Sequence, residues 1–125
     1  MYSTDEFIRA DVMTASPYRL HLIVIDGALH HARATLQALE HRDFDASHTS
    51  SNRAREFVGE MLSGLRTEPA PELVSLVKDY FLHVQKNLVF ADLLQDIEAA
   101  KKAVSLLEGY RETWSKLRSL LPQTT

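Results

Sequence analysis

Residues 10–36, ADVMTASPYRLHLIVIDGALHHARATL, decide the fold, because they hold a helix start and more apolar bulk than one helix stripe requires. Ser16 before Pro17 is a start signal with a mechanism. The serine hydroxyl can accept orphan amide protons, and proline's fixed backbone angle suits the first helical position. From Leu20 to Ile25 five of six positions are apolar. A helix on a bundle's surface buries a single stripe, so this one is expected to meet something on a second face. It should run from Pro17 to about His41, ending near the polar stretch EHRDFD.

Three more helices follow from the same reasoning. Asp45 can cap a second helix, with Phe44 as a hydrophobic staple beside it. Ala54, Phe57, Val58, Met61, Leu62 and Leu65 then recur at steps of three and four on one face. That helix should end near GLRTEPAP, where two prolines stiffen the connection. Pro71 opens a third helix, with Leu73, Leu76, Val77, Tyr80, Phe81, Val84, Leu88 and Ala91 as its inward face. The next corner falls around Asp92 to Asp96, without Gly or Pro to mark it, and Asp96 can cap helix four. There Ile97, Ala100, Lys101, Val104, Leu107, Arg111 and Trp114 face inward, the alkyl stems of Lys101 and Arg111 lying along the seam. Glu108 should reach solvent at the edge of that face. No stretch alternates with period two for the length of a strand. The expected fold is all-α, an antiparallel up-down-up-down four-helix bundle. It forms one domain over residues 1–125: an N-terminal segment 1–15, a bundle over about 16–118 and a frayed tail 119–125.

Composition removes several function classes. At 125 residues the chain has the size of one domain, with 14 Lys and Arg against 17 Asp and Glu and no basic stripe for a phosphate backbone. Nucleic acid is not an expected partner. With no cysteine there is no disulfide, thiolate metal site or nucleophilic thiol. The start MYSTDEFIRADV lacks a basic, then apolar, secretory pattern, and no apolar run approaches the roughly 20 residues that span a bilayer. The expectation is a cytoplasmic protein without membrane insertion.

Six histidines raise metal and phosphorelay readings. Carboxylate-bridged metal bundles use Glu-x-x-His pairs from facing helices, and this chain has none. Asp26 and His30, one turn apart, are better read as a surface contact at the i, i+4 spacing. HHARA, His30 to Ala34, is a partial match to a phosphotransfer histidine, with Arg33 three residues after His30 and His31 beside it. The four glycines are scattered, so no phosphate loop forms, and no serine sits in a nucleophile elbow. No enzyme activity, catalytic residue, metal or cofactor is expected. A phosphotransfer bundle and a metal-binding bundle stand as the alternatives.

VMTASPYRLHLIVIDGAL, residues 12–29, resembles the flagellin export chaperones of the FliS family. Members begin with a mobile segment bearing an aromatic residue. They continue with a Val-x-Thr-Ala-Ser-Pro stretch, a leucine-rich turn and an aromatic, acid, glycine motif. Here these are Val12, Thr14, Ala15, Ser16, Pro17, Leu20, Asp26 and Gly27. NRAREFVGEML, NLVFADLLQD and LLEGYRETW resemble the family's later helices, so the likeness spans about residues 7–114. Departures are Phe7 for tyrosine, Ile25 for an aromatic, Asp92 for asparagine, and Tyr80, Phe81, Leu82, His83 for Leu-Tyr-x-Tyr. The resemblance implies a cytoplasmic chaperone that holds the disordered C-terminal segment of flagellin, prevents premature polymerisation and assists delivery to the flagellar type III export apparatus. An export-gate component is a second candidate partner. The contact residues should be apolar side chains left over from the core. On helix one these are drawn from Leu22, Ile25 and Leu29, or from Ile23 if the phase is shifted. On helix three they are Leu82, Val89 and Phe90. Phe7, Ile8 and Val12 of the N-terminal segment would share that groove.

Overall fold

A computed structural model of the chain describes residues 17–65 and 71–120. They form four helices: α1 Pro17–Glu40, α2 Phe44–Ser63, α3 Pro71–Leu93 and α4 Ile97–Leu120. Among the described residues there is no strand. α1 and α3 each pack against both α2 and α4, so the helices follow one another around the bundle. Cross-helix contacts run in opposite senses along every neighbouring pair. His48 of α2 meets Asp92 of α3 while Arg55 meets Gln85. Tyr18 of α1 meets Trp114 of α4 while Arg33 meets Glu108. The bundle is therefore antiparallel, up-down-up-down, as the short links require.

The α1–α2 corner is turned by Arg42 at φ 56°. Asp43 N–H donates to Ala38 O at 2.8 Å and Arg42 N–H to Leu39 O at 3.0 Å, the paired bonds of a Schellman ending. The next residue, Asp43, then caps α2 by accepting from Ala46 N–H at 3.2 Å. This corrects the expected cap at Asp45. The left-handed turn brings the chain back two residues earlier than the polar stretch suggested, so Asp45 lies in the first turn of α2. Phe44 is the helix's first residue and packs beside Leu39, Ala91, Ala99 and Ala100. At the α3–α4 corner Gln95 takes φ 52°, and Asp96 caps α4 by accepting from Ala99 N–H at 3.1 Å.

The main core joins Ile25, Ala28, Leu29 and Ala32 of α1 to Val58 and Met61 of α2, Phe81, Val84 and Leu88 of α3, and Ala103, Val104 and Leu107 of α4. Three expected core positions differ. Leu73 and Leu76 are 61% and 68% exposed; Leu76 runs beside Gly109 and Thr113 of α4, which are too small to cover it. Lys101 is exposed and pairs with Glu98 at 3.5 Å; Ala99 and Ala103 fill the seam in its place. On α2 the core face is continued by buried Ser47 and Ser51, whose hydroxyls donate to Phe44 O and His48 O, both at 3.0 Å. The Ser16 cap, the proline-rich connection 66–70 and the end of the tail, 121–125, lie outside the described residues. α4 itself continues through Leu120.

Candidate functional site

The acid and glycine of the first motif hold α1 to both of its neighbours. Asp26 accepts from Arg111 Nε of α4, which raises the guanidinium's pKa through that bond and the charge behind it. On the side of α2, the Phe57 ring lies against Gly27, where an added Cβ would come within 2.5 Å of it. Close approach of ring to backbone is thus what the glycine permits. Asp26 does not make the expected contact with His30, since the arginine across the seam offers a full charge. His30 is exposed, His31 stacks on Phe57 at 5.6 Å, and Arg33 pairs with Glu108 at 3.1 Å. Among the described residues no three His, Asp or Glu side chains are grouped so as to hold a metal ion. Asp92, at the position of the family's asparagine, accepts from His48 Nδ1 at 2.8 and 3.0 Å and ties α2 to α3.

An aromatic cluster closes the α1–α4 seam at the end where α1 begins. Tyr18 stacks on Trp114 at 5.3 Å, and His21 sits edge-on to the same indole at 4.3 Å. His21 Nε2 lies 2.7 Å from the Tyr110 hydroxyl. Burial lowers the pKa of His21, and burial, with Tyr80 adding to it, pushes Tyr110 up to about 12. Both therefore stay neutral at neutral pH.

Two open apolar grooves flank this cluster. One, of about 270 Å³, lies between α3 and α4 and is lined by Leu76, Val77, Tyr80, Gly109, Tyr110 and Thr113. The other, about 510 Å³, lies between α1 and α2, with Leu20, Val24, Met61 and Leu65 as apolar walls and His21 and Glu60 at its rim. Away from both, α3 carries apolar side chains on its solvent side: Leu82 is 46% exposed, Phe90 39% and Leu93 72%. Val89 is half-buried beside them. Such surfaces fit an apolar chain better than a small polar substrate.

The sequence-derived contact residues divide sharply. Leu82 and Phe90 are exposed, while Val89 and Leu22 are half-buried. Ile25 and Leu29 lie in the main core, which corrects their assignment to a spare face. α1 is wedged between α2 and α4, so its stripe is broader than one partner would need. Ile23 is buried as well, yet belongs to neither core cluster. Phe7, Ile8 and Val12 lie outside the described residues. Leu73, Leu76, Leu93 and Leu94 are exposed apolar positions that the sequence reading did not place on a contact surface. Their signal was the apolar excess of α3 as a whole. No helix among the described residues is long and apolar enough to cross a membrane.

The family described as "Flagellar protein FliS" matches residues 2–120. The chain belongs to the FliS family. It is 25% identical over 111 residues to the "Flagellar secretion chaperone FliS" of Salmonella typhimurium strain LT2, covering 88% of this chain and 82% of the relative. Within the FliS framework the first motif acquires a structural meaning: its acid and glycine fasten α1 to α4 and α2. The apolar surface left uncovered by the core is carried mainly by α3 and the two grooves.

Proposed function

We propose that this FliS-family protein is a cytoplasmic export chaperone for flagellin. It holds the disordered C-terminal segment of the newly made subunit, prevents premature polymerisation and assists delivery to the flagellar type III export apparatus. The observation that carries the reading is the surplus apolar surface of α3, formed by Leu82, Val89 and Phe90 on a bundle whose core is already complete without them. The name of the Salmonella relative, a flagellar secretion chaperone, supports it.

A flagellin tail that buries apolar side chains in the filament finds on this surface a temporary substitute for its neighbours. Each apolar side chain fully buried contributes about 1.5–3 kcal/mol. Ordering a disordered segment costs about 2–5 kcal/mol or more, beyond the loss of free translation and rotation. Three partly covered anchors fall short of that sum, so the tail also uses Leu22, the grooves and the leucines at the start of α3. Phe7, Ile8 and Val12 are included in this proposal as further apolar contacts for the tail.

Titration calorimetry with a flagellin C-terminal peptide tests the reading. A Leu82→Ser/Phe90→Ser variant should keep its thermal melt and lose about tenfold or more in affinity, and deletion of residues 1–12 should shift affinity. Unchanged binding by both variants would refute the assigned surface.

A further inference from the structure

The two apolar grooves are joined by a hydrogen bond that holding an apolar chain does not require. His21 stands on the rim of the α1–α2 groove, and Tyr110 forms part of the wall of the α3–α4 groove. Between them, His21 Nε2 lies 2.7 Å from the Tyr110 hydroxyl, with the two rings edge-on at 5.6 Å. Tyr110 has little room to move alone. Its ring meets Phe81 at 4.7 Å, Tyr80 at 6.1 Å and Trp114 at 6.4 Å, and the Tyr80 hydroxyl is itself tied to Leu106 O. His21 in turn sits edge-on to Trp114 at 4.3 Å. Packed this closely, a shift of the imidazole is passed to the phenol, and so from one groove to the other.

Protonation of His21 supplies such a shift. A neutral imidazole can donate or accept in this bond, whereas imidazolium has donors only. The Tyr110 oxygen must then accept. Its own proton, held by a pKa pushed up to about 12, needs a new acceptor in a cluster where buried Trp114 Nε1 already lacks one among the described residues. The titratable and charged groups around the ring are Tyr18 on its own helix, Glu60 of α2 on the same rim, Tyr110 of α4 and, behind it, Tyr80 of α3. Arg111, next along α4, is held by Asp26. Glu60 is exposed and has no ion-pair partner among the described residues. We propose that His21 is a proton-operated latch between the two grooves. Neutral, it stays on Tyr110 and both grooves stand open. Protonated, it leaves the seam for the Glu60 carboxylate, narrows the α1–α2 groove and lets Tyr110 go. Burial favours the neutral form, so the latch turns below the ordinary 6.5. The consequence for the client rests on the chaperone reading: acid loosens the hold on the flagellin tail. If only the neutral form binds, one pH unit below the midpoint leaves about a tenth of the molecules competent and weakens apparent affinity about tenfold.

Nuclear magnetic resonance of the full chain without client tests the latch apart from the chaperone function. From about pH 8 to about pH 5, the Met61 methyl of one groove and the Val77 methyls of the other should both follow the His21 midpoint. His21→Phe keeps a ring and should hold both still. In Tyr110→Phe the link is gone, so Met61 should go on following His21 while the Val77 response falls about threefold or more. Glu60→Gln removes the partner of the charged form and should lower the His21 midpoint. Circular dichroism should show all three variants folded. Val77 methyls that ignore His21, or follow it equally in Tyr110→Phe, overturn the coupling, and an unchanged midpoint in Glu60→Gln overturns the role given to Glu60. Calorimetry with a flagellin C-terminal peptide should show the tenfold acid loss in the parent chain and none in His21→Phe. Equal pH dependence in the two overturns the effect on the client. No binding at any pH, with the methyl responses intact, upholds the latch and overturns the chaperone reading instead.

Discussion

Gly27 shows how much one missing methyl can organise. The Phe57 ring occupies the space a side chain would take, at 2.5 Å from an ideal Cβ, so Gly27→Ala forces either the ring or α2 to move. Overpacking of this kind costs about 1–3 kcal/mol, and a urea melt of Gly27→Ala should show that loss. Partial recovery is expected on pairing it with Phe57→Leu, which opens the space again. His21 gives a second prediction at this scale. Burial lowers its pKa below the ordinary 6.5, so the native state takes up its proton later than the unfolded chain. Stability from this site is complete above about pH 6.5 and is lost as the pH falls through 6.5 towards the lower native value. Melts of the parent chain should fall across that range, and His21→Phe should flatten the dependence; an equal slope in the variant would show that another group is responsible. The motif holding Asp26 and Gly27 was legible in the sequence. Its partners were not, because nothing in a linear pattern says that Asp26 reaches Arg111 rather than His30.

Helix boundaries were legible where a side chain announces them. Pro17, Pro71 and the Asp96 cap stand where the sequence placed them. The α1–α2 corner was misplaced by two residues at Asp43, because the turn rests on Arg42 in a left-handed conformation usually given to glycine. The α3–α4 corner has the same character at Gln95. A non-glycine residue held there costs about 1–2 kcal/mol, so Gln95→Gly should raise the melting temperature by a few degrees. A lower temperature would mean that the Gln95 side chain contributes more than its backbone costs. Faces were read less well than boundaries. Leu76 keeps the helical period but stands beside Gly109 and Thr113, and no period along α3 reports the size of residues on α4. Ser47 and Ser51 were passed over as polar, although a hydroxyl bonded back to its own helix can sit in a core.

As a whole molecule, the bundle separates its packed core from its exposed apolar surface more cleanly than the greasy start of α1 suggested. Most of α1's apolar residues are used in packing against α2 and α4, and the unspent surface lies on α3 and in the grooves at the end where α1 begins. Periodicity showed that α3 had apolar residues to spare; only the packed helices show which ones. A bundle already satisfied in its core can release a client without unfolding, which suits a chaperone that must hand its cargo on. The measurement closest to that claim is gel filtration with light scattering of this chain mixed with the flagellin of the same cell, intact and with its C-terminal segment removed. A chaperone that holds the flagellin tail gives a 1:1 complex with intact flagellin and none with the truncated form. A complex that survives truncation, or no complex with either, would contradict that role.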